Sequence, residues 1–355
     1  MSAAPGKAPG NAPWDDRVFI IAEAGVNHDG HMDKAFALIE AAAAAGADAV
    51  KFQTWLPGEI VGRFSHKVDY LERTTGVQES FYDLLERLRI GLEDTARLKA
   101  ACEAAGVMFM STPEGFDTLA HLTGDLDMAV VKIGSSEVNH SAFLTAAGRT
   151  GRPVILSTGA STLDEARHAL AAVRAEADPP VCVLHCVSEY PAPDAEMNLR
   201  ALTTLSGELG VVVGLSDHSL GAEAAVAATA LGARVIEKHL TLDTAAPGPD
   251  HAASMAPDDF AALVRAVRRT EAMLGDGIKR PRPSEAANIS GIRRSVVALD
   301  ALPAGTVLTA AHLGCKRPGT GAPPDDLPRL IGRRLTRALQ PDEPVAWADV
   351  EPAGT

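Results

Sequence analysis

Val18-Phe19-Ile20-Ile21-Ala22 is a short apolar run. Behind it a helical pattern fills Met32–Ala45 and stops at Gly46, and Ala49-Val50-Lys51-Phe52 opens a second run. Unbroken apolar runs of this length fit strands covered on both faces, as in a parallel sheet. A glycine just past an Ala-rich stretch is the expected helix stop. The unit recurs down the chain. Further apolar runs stand at 107–110, 129–133, 153–156, 181–184, 211–214 and 234–237, and helical patterns cover Leu92–Ala105, 195–205 and 222–231. Gly106, Gly210 and Gly232 repeat the stop. Eight strand–helix units in roughly 250 residues predict an α/β chain folded as a (β/α)8 TIM barrel. A doubly wound open sheet, the alternative for such alternation, rarely needs eight regular units.

The pattern changes after Gly275. Residues 276–283 are polar and carry Pro281 and Pro283, and beyond Arg293 the segments shorten. Ser295-Val296-Val297-Ala298-Leu299, Thr306-Val307-Leu308, Arg317-Pro318-Gly319-Thr320-Gly321, Leu330-Ile331-Gly332-Arg333-Arg334 and Val345-Ala346-Trp347 read as short strands between turns. The expected division is a loose tail at 1–15, the barrel at 16–278, a linker at 279–292 and a small β-rich domain at 293–351. A domain of that size makes a marginal core alone, so it is expected to pack against a barrel, its own or a partner's.

Composition narrows the function classes. The 355 residues are 46% hydrophobic and 22% charged, the balance of a globular protein. A net charge of -13 argues against general nucleic-acid or anionic-membrane binding, although a local cluster of cations can still hold an anion. Cys102, Cys182, Cys186 and Cys315 suggest no disulfide framework. No apolar run reaches the ~18 residues of a membrane span, and the N-terminal stretch lacks the apolar core of a signal peptide. A soluble, cytoplasmic protein is expected.

In a TIM barrel the active site lies at the C-terminal ends of the strands. Those ends carry residues that no core requires: Glu23, Asn27 and His28 after the first run, then Lys51 and Gln53, then Thr112. Lys132, Ser135, Ser136 and Glu137 follow, then Ser157, then His185, Cys186, Ser188 and Tyr190. Ser216, Asp217 and His218 end the seventh unit, and Glu237, Lys238 and His239 the eighth. His218 and His239 end neighbouring strands and could share a divalent ion that keeps open positions for substrate or water; each could equally be a satisfied hydrogen-bonding residue. Lys51, Thr112, Lys132, Ser135, Ser157 and Ser216 together would favour a phosphate or carboxylate, unless the lysines pair with acidic neighbours such as Glu23 or Glu137. Asp250, in the loop after the eighth run, could reach a polyol or simply stabilise a turn.

These motifs in order resemble the sialic acid synthase family (N-acetylneuraminate synthase and its relatives). The matching segments include Ala22-Glu23-Ala24-Gly25-Val26-Asn27-His28, Val50-Lys51-Phe52-Gln53, Lys132-Ile133-Gly134-Ser135-Ser136-Glu137, His185-Cys186-Val187-Ser188-Glu189-Tyr190-Pro191, Gly214-Leu215-Ser216-Asp217-His218 and Glu237-Lys238-His239. The C-terminal part, with Lys316-Arg317-Pro318-Gly319, resembles the antifreeze-like (SAF) domain of that family. The resemblance implies condensation of phosphoenolpyruvate with the aldehyde of an N-acetylated aminosugar, giving a nine-carbon nonulosonic (sialic) acid and phosphate. It implies a divalent metal, manganese or magnesium, on His218 and His239, with Glu23 as a further catalytic residue. Lys51, Thr112, Lys132, Ser135, Ser157 and Ser216 would hold the phosphate and carboxylate. Tyr190 and Asp250 would contact the sugar, with Arg317 reaching it from the other subunit of a domain-swapped homodimer.

Two positions depart from the family pattern and bear on the substrate-binding set: Ser188 stands where several members have Asn, and Gln78 falls near a sugar-binding Asn. The sugar could be N-acetylmannosamine, its 6-phosphate, or a 2,4-diacetamido hexose of the legionaminic or pseudaminic type. No second anion pocket is evident for a 6-phosphate, which favours an unphosphorylated sugar. A Schiff-base aldolase using Lys51 or Lys132, and a non-catalytic glycan-binding homologue, are the rival classes.

Overall fold

Period-2 alternation along the strands decides which residues fill the barrel and which carry the helices. The computed structural model describes residues 12–62, 65, 66, 71 and 79–352. Eight parallel strands form one sheet: β1 (Phe19–Gly25), β2 (Ala49–Thr54), β3 (Met108–Pro113), β4 (Val131–Ile133), β5 (Val154–Ser157), β6 (Val181–Cys186), β7 (Val212–Asp217) and β8 (Val235–His239). Their order is β3-β2-β1-β8-β7-β6-β5-β4, and β3 and β4 meet across the seam, so the sheet curls into a near-closed TIM-like barrel.

The strands run further than the apolar runs that announce them. The runs read from the sequence end before the closing polar residues, yet Ser157, Ser216 and His239 are themselves strand residues. On the inward face the lower barrel is apolar, filled by Phe19, Ile21, Met110, Ile155, Leu184 and Val235. Two registers above, the same inward frame becomes Glu23, Lys51, Thr112, Ser157, Cys186, Ser216 and Glu237. Outward residues such as Ile20, Val50, Val154, Val183 and Ile236 pack on the helix ring in one large core.

Ala12 and Trp14 belong to the lower barrel core, and the Arg234 guanidinium donates to the Trp14 carbonyl at 2.7 Å. The loose tail expected through residue 15 is therefore corrected at its inner end: burying an indole stabilises this plug by about 2–3 kcal/mol. The helices Met32–Ala45 and Leu92–Ala105 match their expected spans and end at Gly46 and Gly106, with φ of 84° and 77°. The pattern expected at 195–205 instead divides into a 3-10 turn, Asp194–Glu196, and a later helix, Ala201–Leu209. Helix Pro257–Leu274 closes the ring onto the first strand: Glu271 accepts the Val18 N–H at 2.6 Å, and Arg268 binds the Val18 carbonyl and Asp48.

Residues Asp276–Thr355 form a second compact unit. There β9 (Ser295–Ala298) pairs antiparallel with β10 (Leu313–Lys316) around a small apolar core that includes Val296, Leu308, Leu330 and Val345. The strand expected at 317–321 is a bend following β10, while 306–308 and 330–334 contribute the bridge Val307–Arg334 rather than full strands. The expected linker holds a 3-10 segment, Pro283–Asn288, and a short helix, Ile289–Ile292. Among the described residues no helix is long and apolar enough to cross a membrane.

Candidate active site

The polar upper layer surrounds a cavity of about 210 Å3. Glu23, Lys51, Thr112, Lys132, Ser135, Ser157, Tyr190, Ser216, His218, His239 and Asp250, all expected from the sequence, line it. Ser188 lies next door: it lines an adjoining cavity of about 760 Å3, and its Oγ sits over Gly159, 2.2 Å from where a Cβ there would stand. Gln78 lies outside the described residues. Arg317 is exposed on the second unit.

Each lysine is buried and has a carboxylate partner. Lys51 Nζ is 2.7 Å from Glu23 Oε2 and donates to Thr112 Oγ1 at 3.0 Å. Lys132 Nζ is 3.4 Å from Glu237 Oε1, and Glu237 Oε2 also lies 3.9 Å from Lys51. The pairing of Lys51 with Glu23, foreseen as the plainer reading of that lysine, is thus present, and it lies inside the cavity. Burial would lower the Lys51 pKa, but Glu23 and Glu237 outweigh it and raise it. Burial raises the Glu23 carboxyl despite Lys51. Burial pushes Glu237 the same way, yet Lys132 and Lys51 together hold it down at about 2. The Lys51 ammonium is thus a fixed cation in a low-dielectric pocket, the form suited to an anion.

Hydroxyls complete that end of the site. The Gly159 N–H donates to Ser135 Oγ at 2.8 Å, and Ser216 Oγ donates to Glu237 Oε1 at 3.0 Å. Ser157 Oγ is buried without a hydrogen-bond partner, as is Glu237 Oε2. Unpaired buried polar atoms are costly, and such atoms facing one cavity point to a ligand that satisfies them.

The other end holds two imidazoles. The rings of His218 and His239 are 5.3 Å apart between centroids, with the Tyr190 ring 4.1 Å from His218 and 5.6 Å from His239. His218 Nδ1–H donates to the Val187 carbonyl at 2.7 Å, which fixes the tautomer and leaves Nε2 with its lone pair. Burial and the neighbouring His239 hold the His218 pKa down at about 3, so this ring is neutral. For His239 burial acts downward too, but Asp250, whose Oδ2 is 3.4 Å from Nδ1, reverses the shift and raises it. His239 Nδ1 has no aligned hydrogen bond. Among the described residues no group of three or more His, Cys, Asp or Glu side chains is arranged to hold an ion. The donor set fits an open two-imidazole site whose remaining positions belong to substrate or water, and it does not fit a closed structural site.

Gly25 explains why the first motif needs a glycine. Its φ is +46°, and a Cβ there would stand 3.1 Å from Glu23 Oε1 and 3.5 Å from Asp250 Oδ2, inside the space those carboxylates frame. Gln53, which donates to Glu23 Oε1 at 3.0 Å, Cys186 and Glu237 stand among the strand-end residues named above without a role, and they line the cavity, whereas the cavity carboxylate Glu114 is not among those named. For Gln53, Cys186 and Glu237 the signal was available, since each sits in the inward frame of its strand, two residues from another inward residue. Glu114 lies one residue beyond β3 and two past the inward Thr112, so the same frame carried one step further reaches it.

Comparison with known proteins agrees with this geometry. Residues 38–279 match the NeuB family and residues 293–351 the SAF domain. The chain is 37% identical over 338 residues to the N,N'-diacetyllegionaminic acid synthase of Legionella pneumophila, covering 94% of each protein. It is 34% identical over 340 residues to the N-acetylneuraminate-9-phosphate synthase of Mus musculus, covering 94% of this chain and 92% of the relative. The crystal structure of N-acetylneuraminic acid (sialic acid) synthetase from Leptospira borgpetersenii, in complex with citrate, superposes with a TM-score of 0.68 at 33% identity, over 77% of this chain and 90% of that one. This chain therefore belongs to the NeuB family, an enzyme of the nonulosonic acid synthase class carrying a C-terminal SAF domain.

Proposed function

We propose that the barrel joins phosphoenolpyruvate to the open-chain aldehyde of an N-acetylated aminosugar, giving a nine-carbon 2-keto acid and phosphate. One observation carries this reading: two buried ammoniums and a set of hydroxyls share a single cavity with a pair of imidazoles, so an anion and a carbonyl can be held side by side. Lys51, Lys132 and the Ser135, Ser157 and Ser216 hydroxyls bind the phosphate and carboxylate. The C3 methylene carbon of phosphoenolpyruvate then attacks the aldehyde carbon, whose oxygen takes up a proton, water adds at C2, and the C2–O bond to phosphate breaks.

His218 and His239 would hold a manganese or magnesium ion, which when bound supplies Lewis-acid polarisation of the sugar carbonyl. Tyr190 and Asp250 orient the sugar, and Glu23, buried and held by Lys51 and Gln53, is placed to handle the proton of the attacking water. Among the described residues the cavity's only Lys or Arg side chains are Lys51 and Lys132, which supports an unphosphorylated sugar. The raised Lys51 pKa opposes Schiff-base chemistry there, which needs a neutral amine. We infer further a cytoplasmic homodimer in which Arg317 of one copy serves the sugar end of the other.

A panel of N-acetylated hexosamines and 2,4-diacetamido hexoses, incubated with phosphoenolpyruvate and manganese, tests the reading through released phosphate and product mass. Turnover is expected with at least one sugar, and it is lost in His218→Ala and His239→Ala while circular dichroism is unchanged. Borohydride-trapped pyruvate together with EDTA-resistant turnover would sink the proposal.

A further inference from the structure

Glu114 lines the cavity beside Lys51, Thr112, Lys132 and Ser135. Its backbone is held as an extension of β3, with its N–H donating to the Thr54 carbonyl at 3.1 Å. Its side chain reaches toward the loop after β4, with Oε1 4.0 Å from where a Cβ on Gly134 would sit. Among the described residues this carboxylate has no hydrogen-bond or ion-pair partner, although both lysines beside it are paired with other carboxylates. A lone carboxylate in an anion site repels the anion. A carboxylic acid at the same place donates a short O–H···O hydrogen bond to it.

We propose that Glu114 is a substrate-binding residue that shares a proton with the bound phosphate group, entering the complex as the neutral acid. The inference rests on the anion-site reading above and names the group that sets its protonation. The charged groups facing Glu114 are Glu23 on β1, Lys51 on β2, and Lys132 and Glu137 on β4 and the turn after it. Nearby, Glu59 of the short helix Pro57–Ile60 accepts the Asp117 N–H at 3.2 Å, and Glu137 is engaged by His140 at 2.7 Å. Burial, then Glu137, push the Glu114 carboxyl up to about 7, with Lys51 and Lys132 opposing. A phosphate dianion brought alongside raises it further, so binding near pH 7.5 draws in a proton.

Calorimetry of the full-length protein with inorganic phosphate, and separately with phosphoenolpyruvate, in two buffers of different ionisation enthalpy reads that proton directly. The wild type and Glu114→Asp are expected to take up at least about half a proton more than Glu114→Gln. In steady state, kcat/KM for phosphoenolpyruvate should fall about tenfold between pH 7 and 8.5 in the wild type and stay flat in Glu114→Gln. Equal proton uptake in the wild type and Glu114→Gln, or superimposable pH profiles, would overturn the proposal. Glu114-dependent uptake with phosphate alongside a sugar panel that gives no product supports the role of Glu114 and removes the synthase reading. Turnover with unchanged uptake does the reverse.

Discussion

Replacing Glu237 with Gln tests whether the lysine pair is a preformed anion receptor held in check by its own carboxylate. Glu237 lies 3.4 Å from Lys132 and 3.9 Å from Lys51, and all three side chains are buried. At an effective dielectric of ~20 those separations correspond to about 5 and 4 kcal/mol of gross attraction, most of it offset by desolvation. Removing one partner of a buried pair leaves the other charge uncompensated and costs about 3–5 kcal/mol. The variant also frees Lys132 for an external anion and relieves Lys51 of the more distant of its two carboxylates. Urea unfolding of Glu237→Gln should therefore show a loss of about 3–5 kcal/mol. Phosphate should then bind at least about tenfold more tightly than to the wild type, which is 1.4 kcal/mol. Phosphate at 100 times its Kd should restore about 2.7 kcal/mol. A variant within about 1 kcal/mol of the wild type, with unchanged phosphate affinity, would refute the view that Glu237 and the substrate compete for the same two lysines.

His28, fully buried with its pKa held down at about 4 by burial, gives the protein an acid-sensitive slope. Below pH 6.5 the unfolded chain takes up a proton that the folded chain refuses until about pH 4. Stability is thus complete above 6.5 and falls between the two values, by about 2 kcal/mol at pH 5; denaturant midpoints for the wild type against His28→Gln should differ in slope by that amount. Lys238 faces outward behind the barrel, 2.9 Å from Asp217 with both side chains unexposed, so Lys238→Met should cost about 3–5 kcal/mol. The double variant Lys238→Met/Asp217→Leu should recover most of that loss, and equal instability of the single and double variants would contradict the pairing.

The barrel was legible because each strand announces itself as an apolar run and several helices end at a glycine, here confirmed at Gly46 and Gly106. Much of the site was legible for a related reason. Lys51 interrupts a run that would otherwise be wholly apolar, and a polar side chain in the inward frame near the end of a strand faces the cavity. What escaped needed three-dimensional information. Glu237 and Lys238 are adjacent acid and base in the sequence, yet one faces the cavity and the other is locked behind the sheet by Asp217. Only the inward frame, set by Val235 in the lower core, separates them. Glu114 stands one residue beyond the end of β3, where the apolar run had already stopped, and its company of Lys51, Lys132 and Glu137 comes from other segments of chain. Ala12 and Trp14 were read as tail because a plug needs only one large side chain and carries no periodicity.

The net charge of -13 and an anionic substrate are reconciled by where the charges stand. Surface carboxylates act through water and salt, where their influence fades over a Debye length of ~8 Å at physiological ionic strength. Lys51 and Lys132 act inside a pocket with far less screening, but Glu23 and Glu237 already neutralise them. A phosphate ester therefore enters a site close to electrical balance, through a field that repels it. Two consequences follow from that arrangement. Affinity must come from exchanging partners, as the lysines turn from carboxylate to ligand and carboxyls such as Glu23 and Glu114, already raised by burial, take up protons. The association rate, set by the surface, should rise as salt screens the repulsion, the opposite of an enzyme that steers its anion in. Stopped-flow binding of phosphoenolpyruvate at low and at physiological ionic strength separates the two cases: a rate that falls with added salt would mean that a basic surface guides the ligand, and the balance argued here would fail.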